Sequence, residues 1–476
     1  WSRTPVRPID SWPQSLKTAV YILLNSRYPM FIWWGRELTN IYNDAYMPML
    51  GARHPQALGR SAAQVWADVW PVVGPQAEVV MREGRATRNE SILLVMERHG
   101  YTEETYFTFS YSPAPDDAGG VGGVLCAVTE DTARALGARR LKTLRDLGER
   151  SLAEAETAEQ AWRAAAVTLA DNQRDFPFAL IYLLDEDGKR ARLYETVNLP
   201  AETKASPAAV TIGAGDDVWK FSRVIETSQN KIVEDLEERF GRLPAGPWTD
   251  DWTKRAMALS LARAGAQEFP AGFLVAGISP RLEFNDDYRS FLDLAAGQIA
   301  NAISNTRAYE EERKSAEALA ESARQQRALY QLADHLHRAQ SLDDVYNAAL
   351  DAILGALRCD RASILLLDDA GVMRFAGWRD LSEGYRKAVE GHSPWKPDEK
   401  YPEPVCLNDI DVAEIDDSLR AVVKAEGIGA VAFIPLVSRG KLIGKFMTYF
   451  NAPHVSSDDE IALSLTIARQ LAFGID

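Results

Sequence analysis

Within about thirty residues the chain gathers Trp378, Tyr385, His392, Trp395 and Cys406, the densest grouping of chemistry-bearing side chains in its 476 residues. A histidine among aromatic rings beside a thiol has the residue types to bind haem, a metal or a redox-active ligand. The same types also serve packing, with the imidazole donating to a backbone carbonyl and the thiol acting as a small buried hydrophobe. Nearer the start, Asn43, Tyr46, Trp66, Arg98 and Tyr106 are polar or aromatic residues on elements expected to border a pocket. The plainer reading there makes Tyr46 and Trp66 core residues and pairs Arg98 with Glu103 or Glu104. Cys359 and Cys406 both fall in the last third, so thiolate attack followed by disulfide resolution is a further option. The sequence contains no Cys-x-x-Cys pair, zinc-type Cys/His spacing, Gly-x-Ser-x-Gly, Walker loop or His-Glu-x-x-His. No metal site, catalytic residue or resident cofactor is therefore expected, although an unknown small-molecule ligand is compatible with the pockets.

The composition narrows the function classes. Apolar residues make up 46% and charged residues 25%, ordinary globular values, and the length suits about three domains. Asp and Glu number 68 against 53 Lys and Arg, a net charge of −15 that repels phosphate backbones, so nucleic-acid binding is not expected. Three scattered cysteines fit a reducing cytoplasm, and no apolar run reaches the ~20 residues of a membrane span. The chain opens on Trp1 and is read as an excerpt from something longer.

Two Ala/Glu/Arg-rich stretches without proline must position the globular parts. One runs from Asp131 to Glu159 with Leu141, Leu144 and Leu147 along one side. The other runs from Asp286 to about Leu336, with a thin stripe of Ile299, Ile303, Leu319, Leu329, Leu332 and Leu336. A helix of that length cannot bury enough surface alone, which predicts a partner helix, most simply the same segment of a second subunit. Residues 1–130 read as an α+β unit: an opening hairpin around Gly35-Arg36, short helices up to Gly84, then strands at Ala86–Met96, Thr105–Ser112 and Val121–Val128. The remaining globular segments repeat one another. FALIYLLDEDGK answers ASILLLDDAG and KIVEDL answers VCLNDI, while Asp286 and Asp458, like Gln298 and Gln470, stand 172 residues apart. Amphipathic helices at Glu156–Asp171 and Ser341–Leu357 open the two copies. The predicted fold class is α+β, three antiparallel-sheet domains joined by long helices.

The segments WSRTPVRPIDSWPQSLKTAVYILLNSRYPMFIWWG, YNDAYMPMLGARHPQALG, ERHGYTEETYFTFSYSP and GGVGGVLCAVTEDT resemble the PAS domains of bacterial multi-sensor histidine kinases. AGFLVAGISPRLEFNDDYRSFLDLAAGQIANAI and the residues around it resemble the GAF domain that follows, and GHSPW with PVCLNDI resembles a second GAF domain. The resemblance implies a PAS domain at 1–130, a linker helix at 131–155, a GAF domain at 156–300, a coiled-coil-like linker helix at 301–340 and a GAF domain at 341–476.

It further implies the cytoplasmic sensory input region of a two-component histidine kinase. Such a region senses a small ligand or redox state and relays it through helices to a C-terminal kinase or other output domain. The implied partners are a second copy along the linker helices and, indirectly, a response regulator in the phosphorelay, with no nucleic acid and no membrane. The phosphoacceptor box and ATP-binding boxes are missing, so any transferase activity belongs to the full-length protein. Departures from the family patterns argue against flavin (Asp44 follows Asn43), bilin (Leu407 follows Cys406) and cyclic nucleotides (Ala452 follows Asn451). Two alternatives remain open: a redox enzyme like the GAF-type methionine sulfoxide reductases, and a ligand-free dimerisation scaffold.

Overall fold

The computed structural model describes residues 1–153, 157–185, 187–213, 215, 217–262 and 270–476, the side chains of 151–153 apart. It divides into two compact units, Trp1–Glu310 and Glu311–Asp476.

The first unit opens with α1 (Gln14–Asn25) and the hairpin of β1 (Met30–Trp34) and β2 (Thr39–Tyr42). Gly35, at φ 72°, makes the reversal the sequence marked, since a left-handed residue is least strained without a Cβ. The short helices α2 (Met47–Leu50) and α3 (Ala62–Val65) lead to α4 (Trp70–Glu83), which stops at Gly84 in the left-handed region. β3 (Thr87–Glu97), β4 (Thr102–Pro115) and β5 (Val121–Glu130) complete an antiparallel sheet of order β2-β1-β5-β4-β3. A Cβ on Gly123 would lie 2.5 Å from the Trp33 carbonyl oxygen, so β5 closes on β1 only with glycine there. One sheet face, carrying Phe31, Trp33, Phe107, Phe109 and Val124, packs on Val73, Ala77 and Val80 of α4.

α5 (Thr132–Ala153) follows, then α6 (Ala158–Asp171). The Thr157 hydroxyl accepts from the Gln160 amide while the Gln160 side chain returns to the Thr157 amide, so two orphan donors of α6 are satisfied. The expected helix start at Glu156 and the linker end at 155 lie outside the described residues. Of the three leucines expected on one side of α5, Leu147 is buried and Leu144 packs on the same core, but Leu141 is 69% exposed. The inward line is Leu136, Arg140, Leu144 and Leu147, the i, i+4, i+8, i+11 spacing of a single helix face. That side of α5 is thus spent within its own unit.

The second sheet consists of β6 (Ala179–Leu184), β7 (Arg190–Val197), β8 (Ala209–Thr211), β9 (Lys231–Val233), β10 (Ala256–Ser260) and β11 (Gly272–Gly277). Its order is β8-β7-β6-β11-β10-β9, with α7 (Phe221–Thr227) and α8 (Leu236–Phe240) between strands. α9 (Asp286–Arg338) has two aspartates in its first turn, where the helix dipole favours negative charge. Its opening residues Tyr288, Leu292, Ala295, Ile299 and Ile303 are buried with Trp162 and Leu169 of α6 in the core of this unit.

In the second unit α10 (Leu342–Leu357) begins with a Ser341/Asp344 capping box. It is followed by β12 (Arg361–Leu367), β13 (Met373–Arg379), α11 (Glu383–Val389), β14 (Val405–Leu407), α12 (Asp417–Ala425), β15 (Ala430–Ser438), β16 (Lys441–Phe450) and α13 (Asp458–Ile475). The sheet order is β13-β12-β16-β15-β14. Replacing β12, β13, β14, β15 and β16 by β6, β7, β9, β10 and β11 reproduces the connectivity of the second sheet, whose additional strand is β8. One face of the sheet packs on α10 and α13 through Ile364, Phe446, Ile353 and Leu471. The other carries Leu365, Val431, Met447 and Tyr449 against Tyr385 of α11 and Val423 of α12.

The expected single stripe along α9 divides. Ile299 and Ile303 belong to the first unit's core. Leu332 is buried in the second unit's core, with Leu329 and Leu336 packed on it. Leu319 alone of the six is exposed, at 73%. Each unit uses the helix end it contains as a core element, which is why those leucines and isoleucines are there. Among the described residues no helix is long and apolar enough to cross a membrane.

Candidate functional site

Between the first sheet and its helices lies a cavity of about 40 Å³, lined by Tyr46 and Trp66 together with Phe31, Met49, Met96 and Cys126. Its size admits about one small molecule of a few atoms. Burial pushes the Cys126 thiol and the Tyr46 phenol well above their usual ranges, so both present neutral groups. Among the described residues the Trp66 indole N–H has no hydrogen-bond partner. The cavity thus has an apolar, uncharged lining and room for a compact group only.

Asn43 lies apart from this cavity. Its amide donates to the carbonyls of Leu23 (3.1 Å), Ser26 (3.1 Å) and Tyr28 (2.7 Å), and its oxygen accepts from the Met30 amide (3.0 Å). The side chain therefore ties the end of α1 to the start of β1. Asn43→Ala is expected to lower stability by about 3 kcal/mol, because buried backbone groups lose their partners. Chemical denaturation followed by tryptophan fluorescence measures it, and a change under about 1 kcal/mol would refute the assignment.

Arg98 and Tyr106 belong to an ionic lattice. Arg98 donates to Glu103 (2.9 Å) and with both terminal nitrogens to Glu130 (2.6 and 2.8 Å). Burial works against both charges, yet the pairing holds the Glu130 carboxyl below its usual range and Arg98 above its own. The Tyr106 hydroxyl donates to Glu104 at 2.7 Å and accepts from Arg174 at 2.7 Å; burial and then Glu104 push it up to about 12. Arg139 of α5 contacts Glu104 of β4 and, at 2.6 Å, Asp175, while Arg140 reaches the other Asp175 oxygen at 2.9 Å. Asp175 precedes β6, so Arg139 connects the first sheet to the segment leading into the second, and Arg140 holds the same aspartate from the next position of α5. A cleft of about 700 Å³ beside the lattice is lined by Arg98, Glu103, Glu104, Arg140 and Arg281. Sequence reasoning named Arg98 and Tyr106 as ligand-binding candidates, and the structure places both in this lattice; it did not single out Arg139, Arg140 or Asp175. The adjacent arginines in a helix were their only signal.

In the second unit the expected cluster is divided between surfaces. Tyr385 is buried and Trp395 half-buried on the sheet face turned to α11 and α12, with the Trp395 indole donating to the Glu403 carbonyl at 2.9 Å. Cys406 packs instead with the cluster of α10 and α13. Trp378 is 39% exposed, with the Arg386 guanidinium 3.8 Å from its ring centroid. The His392 side chain is exposed, and its backbone carbonyl accepts from Lys445 at 2.6 Å. Cys359 is buried, which pushes its thiol up to about 12 and leaves little thiolate for the redox-enzyme reading. Among the described residues no group of three or more His, Cys, Asp or Glu side chains is arranged to hold a metal ion.

Lys445 is the group sequence reasoning missed here. It sits in β16 among apolar neighbours, 1% exposed, with its Nζ 4.9 Å from the Phe433 ring centroid. Burial draws its pKa down from 10.5 to about 7. A lysine inside the run GKFMTYF was the signal.

The family model described as GAF domain matches residues 339–476. No curated protein matches the chain. Among solved structures, the chain is similar to a domain of a putative two-component sensor histidine kinase protein from Sinorhizobium meliloti 1021, at 54% identity and TM-score 0.28, covering 29% of this chain and 92% of that one. It is also similar to the GAF domain of a phosphoenolpyruvate-protein phosphotransferase from Coxiella burnetii, at 21% identity and TM-score 0.27, covering 32% and 93%. A third is a GAF domain from Synechocystis sp. PCC6803 in its photoproduct state, at 22% identity and TM-score 0.24, covering 28% and 93%. Residues 339–476 are a GAF domain, the sheet, flanking helices and buried lysine just described.

Proposed function

We propose that the chain is a PAS–GAF–GAF sensory region of a bacterial two-component histidine kinase. It takes a small ligand or redox signal in the cytoplasm and relays it through helices to a C-terminal output, from which a response regulator is addressed. The observation that carries this reading is the repeat: the second sheet has the strand connectivity of the matched GAF domain, with an additional strand at one edge. The first sheet, with helices over one face and a small apolar cavity between, supports a PAS domain. A ligand that binds two packings of a sensor domain unequally would shift their populations, and Arg139, held between Glu104 of β4 and Asp175 ahead of β6, is a physical route by which the first sheet would be coupled to the second. In the second unit the exposed Leu319 and Tyr330 of α9 would offer a surface for pairing with a second copy.

Native mass spectrometry of the freshly purified chain tests the reading. A dimer carrying a bound small molecule is the expected result. A dimer with no bound molecule and no ligand-induced melting shift would favour the ligand-free scaffold instead, and a monomer without ligand would overturn the proposal.

A further inference from the structure

Lys445 is an anomaly that packing alone does not explain. Its ammonium is buried on the sheet face turned to α11 and α12, and it has three N–H donors. One is taken by the His392 carbonyl at 2.6 Å. Among the described residues no carboxylate pairs with it, and burial is what acts on its charge. Buried charges are normally paired, because an isolated ion loses far more hydration than neutral surroundings return. An apolar side chain of similar length would fill the position, so the amine is an expensive choice with an unused valence.

Its surroundings define what would use that valence. The same face carries Phe433 and Met447, with the half-buried Trp395 over it. The hydroxyls of Ser363 and Tyr449, 2.8 Å apart, form a small polar patch on it. Its composition, an apolar wall with few convergent polar groups, is that of a small-molecule site, here filled by α11, α12 and the covering chain. The covering chain between α11 and β14 has no regular secondary structure, and it meets the ammonium with a backbone carbonyl, a dipole without net charge. Among the described residues no second cation acts on its charge, so a single negative charge neutralises it.

We propose that this face of the GAF domain binds a small apolar monocarboxylic acid, its carboxylate taking Lys445 Nζ and its body lying against Phe433 and Trp395. The acid replaces the His392 carbonyl as the main partner of the ammonium, so the segment from Gly391 to Pro404 shifts on binding. The inference rests on the reading of this domain as a sensor and names the class of ligand.

The test uses the full chain with three acids, phenylacetate, benzoate and hexanoate, and the uncharged analogue phenylacetamide. Calorimetry and melting shift are read on the native protein, Lys445→Met and Lys445→Arg. At least one acid is expected to bind the native protein and to lose roughly tenfold or more in affinity on Lys445→Met. Lys445→Arg, which keeps the charge, is expected to retain part of the binding, and phenylacetamide is expected to bind weakly or not at all. Hydrogen exchange in residues 391–404 should change with the acid. Failure of all three acids to bind, equal binding of acid and amide, or undiminished binding to Lys445→Met would overturn the proposal. The sensory reading fails separately, if native mass spectrometry finds the chain monomeric and without any bound molecule.

Discussion

Arg139→Leu is expected to destabilise the first unit by about 3–5 kcal/mol, the range for removing one partner of a buried ion pair. The Glu104 and Asp175 side chains are fully buried and Arg139 is 19% exposed, so water cannot replace the lost guanidinium. Burial works against the Arg139 charge, but Asp175 and Glu104 outweigh it and hold it above the usual arginine range. Both carboxylates depend on that one side chain in different ways. Asp175 keeps Arg140 at 2.9 Å and Asn172 at 3.1 Å, whereas Glu104 keeps only Tyr106, with Arg174 4.0 Å away. The damage should therefore fall first on β4. Hydrogen exchange at residues 102–106 should accelerate more than at 172–178, with the global denaturation midpoint falling as well. Arg139→Lys should recover only part of the loss, because a single ammonium cannot span two carboxylates as a planar guanidinium does. Loss of less than about 1 kcal/mol, shrinking further at high salt, would mean the lattice is a surface feature and no coupling element.

The sequence made the first sheet readable because its turns carry local chemistry. Gly35 and Gly84 mark reversals at their left-handed conformations, and β1 ahead of them and β4 after them carry dense aromatic runs. The internal repeat was readable for the same reason: acidic turns and capped helices recur at matching places, and the two sheets share their connectivity. What stayed hidden depends on distance or on side. Arg139 and Asp175 meet across 36 positions, and nothing local in either segment points to the other. Arg98 was expected beside Glu103 or Glu104; it takes Glu103 and Glu130, while Glu104 turns to Arg139. The grouping of Trp378, Tyr385, His392, Trp395 and Cys406 is close in sequence but the sheet sorts it, with Cys406 joining the cluster of α10 and α13 and Tyr385 the opposite one. Proximity along a chain decides little where alternate residues of a strand point to opposite faces. The long-helix stripe misled in a related way, since buried residues at the two ends of α9 belong to different cores.

Lys445→Met is expected to stabilise the chain at neutral pH, the opposite of most core substitutions. The folded lysine has its pKa near 7, against 10.5 when unburied, so below about pH 7 folding must keep a charge in an apolar layer. At roughly 1.4 kcal/mol per pH unit the full penalty is about 5 kcal/mol. Methionine fills a similar volume without the charge, but leaves the His392 carbonyl without its donor, a loss of about 1–2 kcal/mol. A net gain of about 2–4 kcal/mol at pH 7 follows. The pH dependence supplies the sharper signature. Between about pH 7 and 10.5 the unfolded chain binds a proton that folded Lys445 has released, so native stability rises with pH through that window as the penalty fades. In Lys445→Met that slope should vanish. Burial pushes the neighbouring Tyr385 and Tyr449 phenols well up in the folded chain, and in the unfolded chain they ionise only near pH 10, so up to about pH 9 both states keep them protonated and the slope is left to the lysine. Denaturation midpoints at pH 6, 7, 8 and 9 for both proteins measure the effect, and a destabilised variant or an unchanged slope would contradict it. A protein that becomes more stable while losing its affinity for carboxylates would mark Lys445 as a group held for binding against the interest of folding, as functional sites often are.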